Sequence, residues 1–400
     1  MFERYIFTNL PGEENPVAAG LFTLDTDLGV GRFSYGKKYL LRPEAIAIDP
    51  VNLPLSEKEF TIKNNDGIFF VLGDILPDSW GKYVLSKKLA IPFGSLAPHE
   101  YFQFVTDHAV GALSIGKSLD PQSLIREPLL QFDDIYKVMA AYDTLSTADT
   151  IPEEVLFVLG QGTSLGGAQP KSPVLYVGEE WIAKFKNKKV VIDSPTIEFA
   201  TMTLAEKCGI TIPEIRLETV SNENVYLIKR FDRKNNIRIP FISGHALSSF
   251  DLDDLEKGSY LLLTSFIRQI TKSVSDDLKQ LFKRMLFNIL IGNADDHLRN
   301  HGWLLTAKRQ WRLSPAYDIL PIPRKTAHFS LSLIVGDYGT EGSVRNALSQ
   351  CEKFNLSKNE AQSMVDEMRS TISSWKRHYQ SCGVSEHDIK EIEMAINFDI

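Results

Sequence analysis

The run "LKQLFKRMLFNILIG", residues 278–292, constrains this chain more than any other stretch. Apolar residues fall at 278, 281, 282, 285, 286, 289 and 290, the spacing of one face of an α-helix. Such a stripe is a strong sign of a helix, beginning at about 276, with one face turned to a core. Gly292 supplies the residue that most often ends a helix. The chain then enters "NADDHLRN", a polar loop placed at the end of an apolar rod.

The spacing beyond that helix carries chemistry. Asp295 and Asn300 are five positions apart, and "GWLL" (302–305) and "QWRL" (310–313) read as two short strands joined by "TAKR". A hairpin returns to its starting end, so Asn300 before it and Asp318 in "SPAYD" after it converge. Phosphoryl transfer needs such a set: one carboxylate to accept the proton of the attacking hydroxyl, and an Asn and a second Asp to hold Mg²⁺ against nucleotide phosphates. The protein-kinase catalytic loop uses the same Asp-to-Asn interval, with its metal-binding Asp just past a hairpin. Polar loop residues also cap helices and form turns, and each Asp taken alone reads that way. His297 and His301 are four apart among carboxylates, but no third zinc ligand accompanies them. His297 is expected to brace the loop by hydrogen bonds.

The bulk composition is that of an ordinary soluble globular protein. The chain has 400 residues, 43% hydrophobic and 24% charged, with a net charge of −7, which argues against a protein that coats nucleic acid. Three cysteines, Cys208, Cys351 and Cys382, stand far apart and imply a reducing compartment. The start, "MFERYIFTNLPGEENP", lacks the apolar core of a secretory signal, and no uncharged run is long enough to span a bilayer. A cytoplasmic, soluble protein without membrane contact is expected.

Earlier segments supply the remaining parts. "AAGLFTLD", "GVGRFSYGKKYLL" and "HAVGALSIG" read as strands, and Asp78 as the N-cap of a helix. A boundary falls near "KSLDPQSLIREPLLQ" (117–131). "LGQGTSLGGAQPK" places Gly160, Gly162, Gly166 and Gly167 where backbone N–H groups can approach phosphates. In "SPVLYVGEEWIAKFK" a hairpin turning at Gly-Glu-Glu carries Lys184, with Lys186 as its period-2 competitor. Glu198, in the following helix, is either the partner of Lys184 or an ordinary surface residue. In "YLIKRFDR" the backbone of Lys229–Phe231 is a candidate hinge for an adenine ring, and Asp232 a candidate contact to ribose, metal or loop. Ser357 with Glu360 and Ser385 with Asp388 mark helix starts near the end of the chain.

With these residues quoted, "SLGGAQPK", "WIAKFK", "IKRFDR", "LIGNADDHLRNHGW" and "LSPAYDILP", in this order, resemble the HipA family of bacterial serine/threonine kinases, the toxins of type II toxin–antitoxin systems. "FFVLGDILPDSWGKYVL" and "HAVGALSIG" are similar to that family's N-terminal subdomain, so the resemblance runs over about residues 1–340. It implies an α+β, kinase-like two-lobe fold: a β-rich N-terminal subdomain over 1–125, a kinase N-lobe-like core with the Gly-rich loop over 126–235, and a mostly helical C-lobe with the catalytic loop and metal site over 236–400. By the same resemblance Asp295 is the general base, Asn300 and Asp318 are the Mg²⁺ ligands, and Lys184 binds the phosphates of ATP. The nucleotide side then comprises Lys184, Gly162, Ser164, Gly166, Gly167, Lys229, Phe231, Asp232, His297, Asn300 and Asp318. Ser164, with Thr163 second, matches the serine whose autophosphorylation ejects the loop; a phosphate there adds about −1.5 to −2 charge where an anion should sit.

The implied partners are a protein substrate, an aminoacyl-tRNA synthetase or another translation protein, and a HipB-like helix-turn-helix antitoxin through which DNA is met indirectly. The chain departs from the protein-kinase pattern in lacking "HRD" and "DFG": Asn293 and Ala294 precede Asp295, and Ile319 and Leu320 follow Asp318. Asp296, directly after the base, is read as structural. A small-molecule phosphotransferase and a catalytically silent module of an antitoxin–DNA complex are the alternatives.

Overall fold

The computed structural model describes residues 1–147, 169–187, 190–250, 257–326 and 328–396. The Gly-rich stretch with Gly160, Gly162, Thr163, Ser164, Gly166 and Gly167 lies outside the described residues. The chain divides into two units, and neither is continuous in sequence. One comprises Met1–Phe185, Lys229–Asp251 and Leu304–Arg309; the other comprises Lys186–Ile228, Leu252–Trp303 and Gln310–Ile400.

The first unit opens with an antiparallel sheet in the order β4-β3-β2-β1-β5, built from β1 (Phe2–Asn9), β2 (Pro16–Asp25), β3 (Val30–Tyr35), β4 (Phe60–Ile62) and β5 (Leu113–Gly116). Its strands alternate as the sequence suggests: Phe22 and Leu24 are buried while Leu21 and Thr23 are half-buried. Phe22 stacks on Phe102 with ring centroids 5.4 Å apart. Helix α1 (Ser79–Lys88) starts at Asp78, whose side chain accepts from the Gly81 amide. Further along, β6 (Leu130–Gln131) runs parallel to β7 (Lys171–Tyr176), which pairs with β8 (Glu179–Lys184). The hairpin turns at Val177–Gly178, both with positive φ, and not at the expected Gly-Glu-Glu; Glu179 and Glu180 are already on the strand. Two left-handed residues match the twist of paired strands, which a turn one residue later would not.

The second unit is mostly helical. Helix α2 (Ser194–Lys207) ends in Cys208 and Gly209, the latter at φ 73°. β9 (Ile215–Val220) and β10 (Glu223–Lys229) form a hairpin over Ser221–Asn222. Helix α3 (Tyr260–Ile270) packs on α4 (Val274–Ile291), which carries the apolar stripe from Leu278 to Leu290. Burial there exceeds an apolar stripe. From Arg284 to Ile291 every residue is buried, Arg284 and Asn288 included. The second half of α4 is therefore a core rod clad all round, each buried Leu, Ile or Phe adding roughly 1.5–3 kcal/mol. Ser357 and Glu360 form the expected capping box on the helix Lys358–Ile372, and Ser385 caps Glu386–Ile392. Among the described residues no helix is long and apolar enough to cross a membrane.

Candidate active site

The loop at the end of α4 is set by how that helix stops. Gly292 adopts φ 71°, the Gly292 amide donates to the Ile289 carbonyl, and the Asn293 amide reaches back to Asn288 at 2.9 Å. These two bonds are a Schellman ending. A Cβ on Gly292 would also meet the Ala395 carbonyl oxygen at 2.3 Å, so glycine is required twice over.

The chain that leaves Gly292 turns alternate side chains in and out. Asp295 is exposed, whereas Asp296 is 2% exposed and lies inside. Asp296 Oδ2 accepts from the Tyr260 hydroxyl and from His301 Nε2, the latter at 2.9 Å. Asn288 donates to Tyr260 Oη at 3.3 Å and accepts from Asn293 at 3.1 Å. Burial alone would push the Asp296 carboxyl up; the His301 imidazole and the Tyr260 hydroxyl outweigh it and hold the pKa below its ordinary value. The brace of this loop is thus His301 and not His297, whose Nδ1 is buried with no hydrogen-bond partner among the described residues. Asn300 Nδ2 donates to the Asp295 backbone carbonyl at 3.4 Å, which ties the two ends of the five-residue interval and leaves Asn300 Oδ1 as its acceptor atom.

Asp318 is brought to the same end by three backbone-directed bonds. The Ser314 amide donates to the Gly302 carbonyl at 2.8 Å, the Tyr317 hydroxyl to the Arg299 carbonyl at 2.7 Å, and the Ile322 amide to the Gly292 carbonyl at 3.1 Å. Arg299 and Tyr317 each adjoin one of the two residues read as metal ligands. Asp318 holds φ 59°, a left-handed backbone that Asp tolerates better than most residues. Buried Arg284 donates to the Ser314 carbonyl from beneath, and burial pulls its pKa down to about 10. Burial raises the Tyr226 hydroxyl pKa most, and the carboxylates of Glu198 and Asp318 add to that. Glu198 is itself 1% exposed, so the surface reading of that residue is replaced by a buried one.

In the other unit, β8 buries Trp181 and Ala183 on one face and Lys184 on the other. Lys186, the competing lysine, donates instead to the Val191 carbonyl at 3.3 Å. At the candidate hinge, the Arg230 amide is committed to the Glu180 carbonyl at 3.0 Å, Lys229 pairs with Glu179, and Phe231 lies 6.3 Å from Phe241. Asp232 is buried. It accepts from Arg230 Nε at 3.0 Å and Nη2 at 2.7 Å, from Arg233 Nη1 at 2.8 Å and from the Gly111 amide at 2.7 Å. Burial would raise its pKa, but the two guanidinium groups drive it far below the usual carboxylate range.

Among the described residues no cluster of three or more His, Cys, Asp or Glu side chains could hold a metal ion by itself. A Mg²⁺ site needs less protein than that. Hard oxygen donors from one or two side chains suffice when water and phosphate supply the rest, and Asn300 Oδ1 with the Asp318 carboxylate fits that requirement. Sequence reasoning missed Tyr260, Asn288, Asn293 and His301 as a connected set. The available signals were the polar Asn288 inside an apolar helix and the repeat of the 295-to-300 interval one position later, 296 to 301.

The fold and the loop define a mixed α/β protein of the kinase-like class. A solved complex of Shewanella oneidensis HipA, HipB and operator DNA superposes with a TM-score of 0.69 at 16% identity, covering 97% of this chain and 94% of that one. The family model for the HipA-like C-terminal domain matches residues 163–375, more than half of the chain. The protein belongs to the HipA-like C-terminal domain family. It is 30% identical over 162 residues to a Sinorhizobium fredii protein named "Putative kinase Y4dM", a match covering 37% of this chain and 39% of that protein. It is 26% identical over 195 residues to the "Serine/threonine-protein kinase toxin HipA" of Shewanella oneidensis, covering 40% and 43% respectively. The chain thus spans less than half the length of these two curated relatives.

Proposed function

We propose that this protein is an ATP- and Mg²⁺-dependent protein serine/threonine kinase of the HipA toxin type. The observation that carries the reading is the loop after α4: an exposed Asp295 carboxylate, with Asn300 bonded to its backbone and Asp318 drawn to the same end through the Tyr317–Arg299 bond. Asp295 takes the proton from the acceptor hydroxyl as its oxygen attacks the γ-phosphorus; the bond to the bridging oxygen breaks and ADP leaves. Asn300 and Asp318 hold Mg²⁺, which neutralises charge on the phosphates when bound. Lys184 steadies the phosphates, the backbone of Lys229–Phe231 receives the adenine, and Asp232 holds the hinge segment. His297 stands beside the cofactor.

Three regions divide this work in the proposal: 1–125 as the N-terminal subdomain, 126–235 as the nucleotide-binding core, and 236–400 as the catalytic C-lobe. Ser164, with Thr163 second, is the proposed autophosphorylation site. The proposal takes a translation-related protein as substrate and a bacterial cytoplasmic setting; the solved Shewanella oneidensis complex of HipA, HipB and operator DNA supports a HipB-like antitoxin as partner, with DNA met through it.

Incubation with γ-labelled ATP and Mg²⁺ tests the reading. Wild-type protein should label itself or a supplied acceptor, Ser164→Ala should lose self-labelling, and Asp295→Asn and Asp318→Ala should transfer nothing measurable. Labelling of Asp295→Asn at the wild-type rate would remove the base assignment. Absence of label on wild-type protein whose Ser164 is unmodified at the start would favour a binding module.

A further inference from the structure

The Asp295–Asn300 interval has a double. Asp296 and His301 are also five residues apart, offset by one, and they are bonded at 2.9 Å with exposures of 2% and 1%. Each member of the buried pair is the direct neighbour of one member of the outer pair. We infer that Asp296 and His301 act as a positioning pair that sets the Asp295–Asn300 interval, keeping base and metal-ligating amide in register; the role in catalysis rests on the kinase reading above.

The geometry supports this in three ways. A five-residue loop has many backbone conformations, and two local bonds close this one among the described residues: the Asn300 amide to the His297 carbonyl at 2.9 Å and the Asn300 side chain to the Asp295 carbonyl at 3.4 Å. The pair beneath is anchored to both core helices, through Tyr260 on α3 and through Asn288 on α4. Finally, a buried carboxylate is costly unless partnered, and its partners here are His301 at the end of the loop and Tyr260 on α3, the helix packed on the rod that carries the loop. Losing this pair would leave His301 Nε2 without its partner in the core and Asp296 with the Tyr260 hydroxyl alone. Its conformation is therefore enforced from below while Asp295 stays open to solvent.

Three variants test the pair: His301→Leu, which removes the donor; His301→Gln, which returns an N–H near the Nε2 position; and Tyr260→Phe, which takes a bond from Asp296 but leaves the pair. Each is compared with wild type for kcat, KM for ATP, the Mg²⁺ midpoint, melting temperature and amide hydrogen exchange at residues 295–300. His301→Leu should lose roughly 100-fold in kcat, as expected for a misplacement of about 1 Å, with KM for ATP nearly unchanged. Its Mg²⁺ midpoint should rise and the Asn300 amide should exchange faster. His301→Gln should recover most of kcat, and Tyr260→Phe should lower the melting temperature while kcat stays near wild type. A purely structural role would give Tyr260→Phe and His301→Leu the same loss in proportion to melting temperature, and that pattern would overturn the inference. So would wild-type exchange in His301→Leu. If the wild type transfers no phosphate, the kinase reading falls and the exchange measurement still judges the pair.

Discussion

Two aspartates, one in each unit, are both buried and both ionised against the cost of burial, yet they are built differently. Asp232 sits in a knot of full charges, with Arg230 and Arg233 on either side and the Gly111 amide filling the remaining space. Arg230 and Arg233 are committed in turn to the carbonyls of Asp107, His108, Ala109 and Gly111. Asp296 instead rests on a hydroxyl and an imidazole, and the adjacent Asp295 is exposed. The first arrangement fastens strands and loops together. The second fixes a backbone whose outward side chains stay free to act. Burial and ion pairing alone therefore do not mark a functional carboxylate; what the adjacent residues are left to do decides it.

The largest effect expected from this contrast is on catalysis. Asp295→Asn should lower phosphate transfer by about 10³-fold or more, within the span that loss of a general base produces, with an unchanged melting temperature because the carboxylate is exposed. A melting temperature that falls with activity would show that Asp295 is part of the scaffold.

Asp232→Ala should act the other way, leaving two buried guanidinium groups without their anion and costing about 3–5 kcal/mol in urea unfolding. A loss under about 1 kcal/mol would show that the knot re-pairs through Glu180, which lies 3.3 Å from Arg233 Nε.

Acid should expose both carboxylates at once. Each has a folded pKa held below its unfolded value near 3.9, so its contribution is complete above that value and is lost as pH falls toward the folded one. Unfolding free energy measured from pH 6 down to 2.5 should decline below about pH 5, and Asp232→Asn should make that decline shallower. An identical slope in the variant would contradict the depressed value.

The smallest effect lies outside both clusters. Ser357→Ala removes one helix cap and should cost about 1 kcal/mol with no change in nucleotide affinity, measured by unfolding and by titration with a fluorescent ATP analogue.

Much of this was legible before any coordinates. The α4 rod, its stop at Gly292, the cap at Asp78, the hairpin bearing Lys184 and the caps at Ser357 and Ser385 all follow from local rules acting over a few residues. The 295-to-300 spacing marked the candidate site for the same reason. The burial of Glu198 and the choice of Lys184 over Lys186 as the buried lysine were not legible, because a period-2 or period-3.6 pattern says which residues share a face and not what covers it.

The amino-acid order by itself determined where helices start and stop, and it spaced an Asp, an Asn and a second Asp so that they return to one end, the set to which the proposed function gives phosphate and magnesium. Those properties depend on neighbours in the chain. Only the tertiary structure decided that Asp296 faces inward onto Tyr260 and His301 while Asp295 faces out, and that Asp232 is locked between arginines. Arg230, Arg233 and His301 are near in sequence, but the Tyr260 hydroxyl and the Gly111 amide come from distant positions, and a buried charge takes whichever donors the packed core supplies.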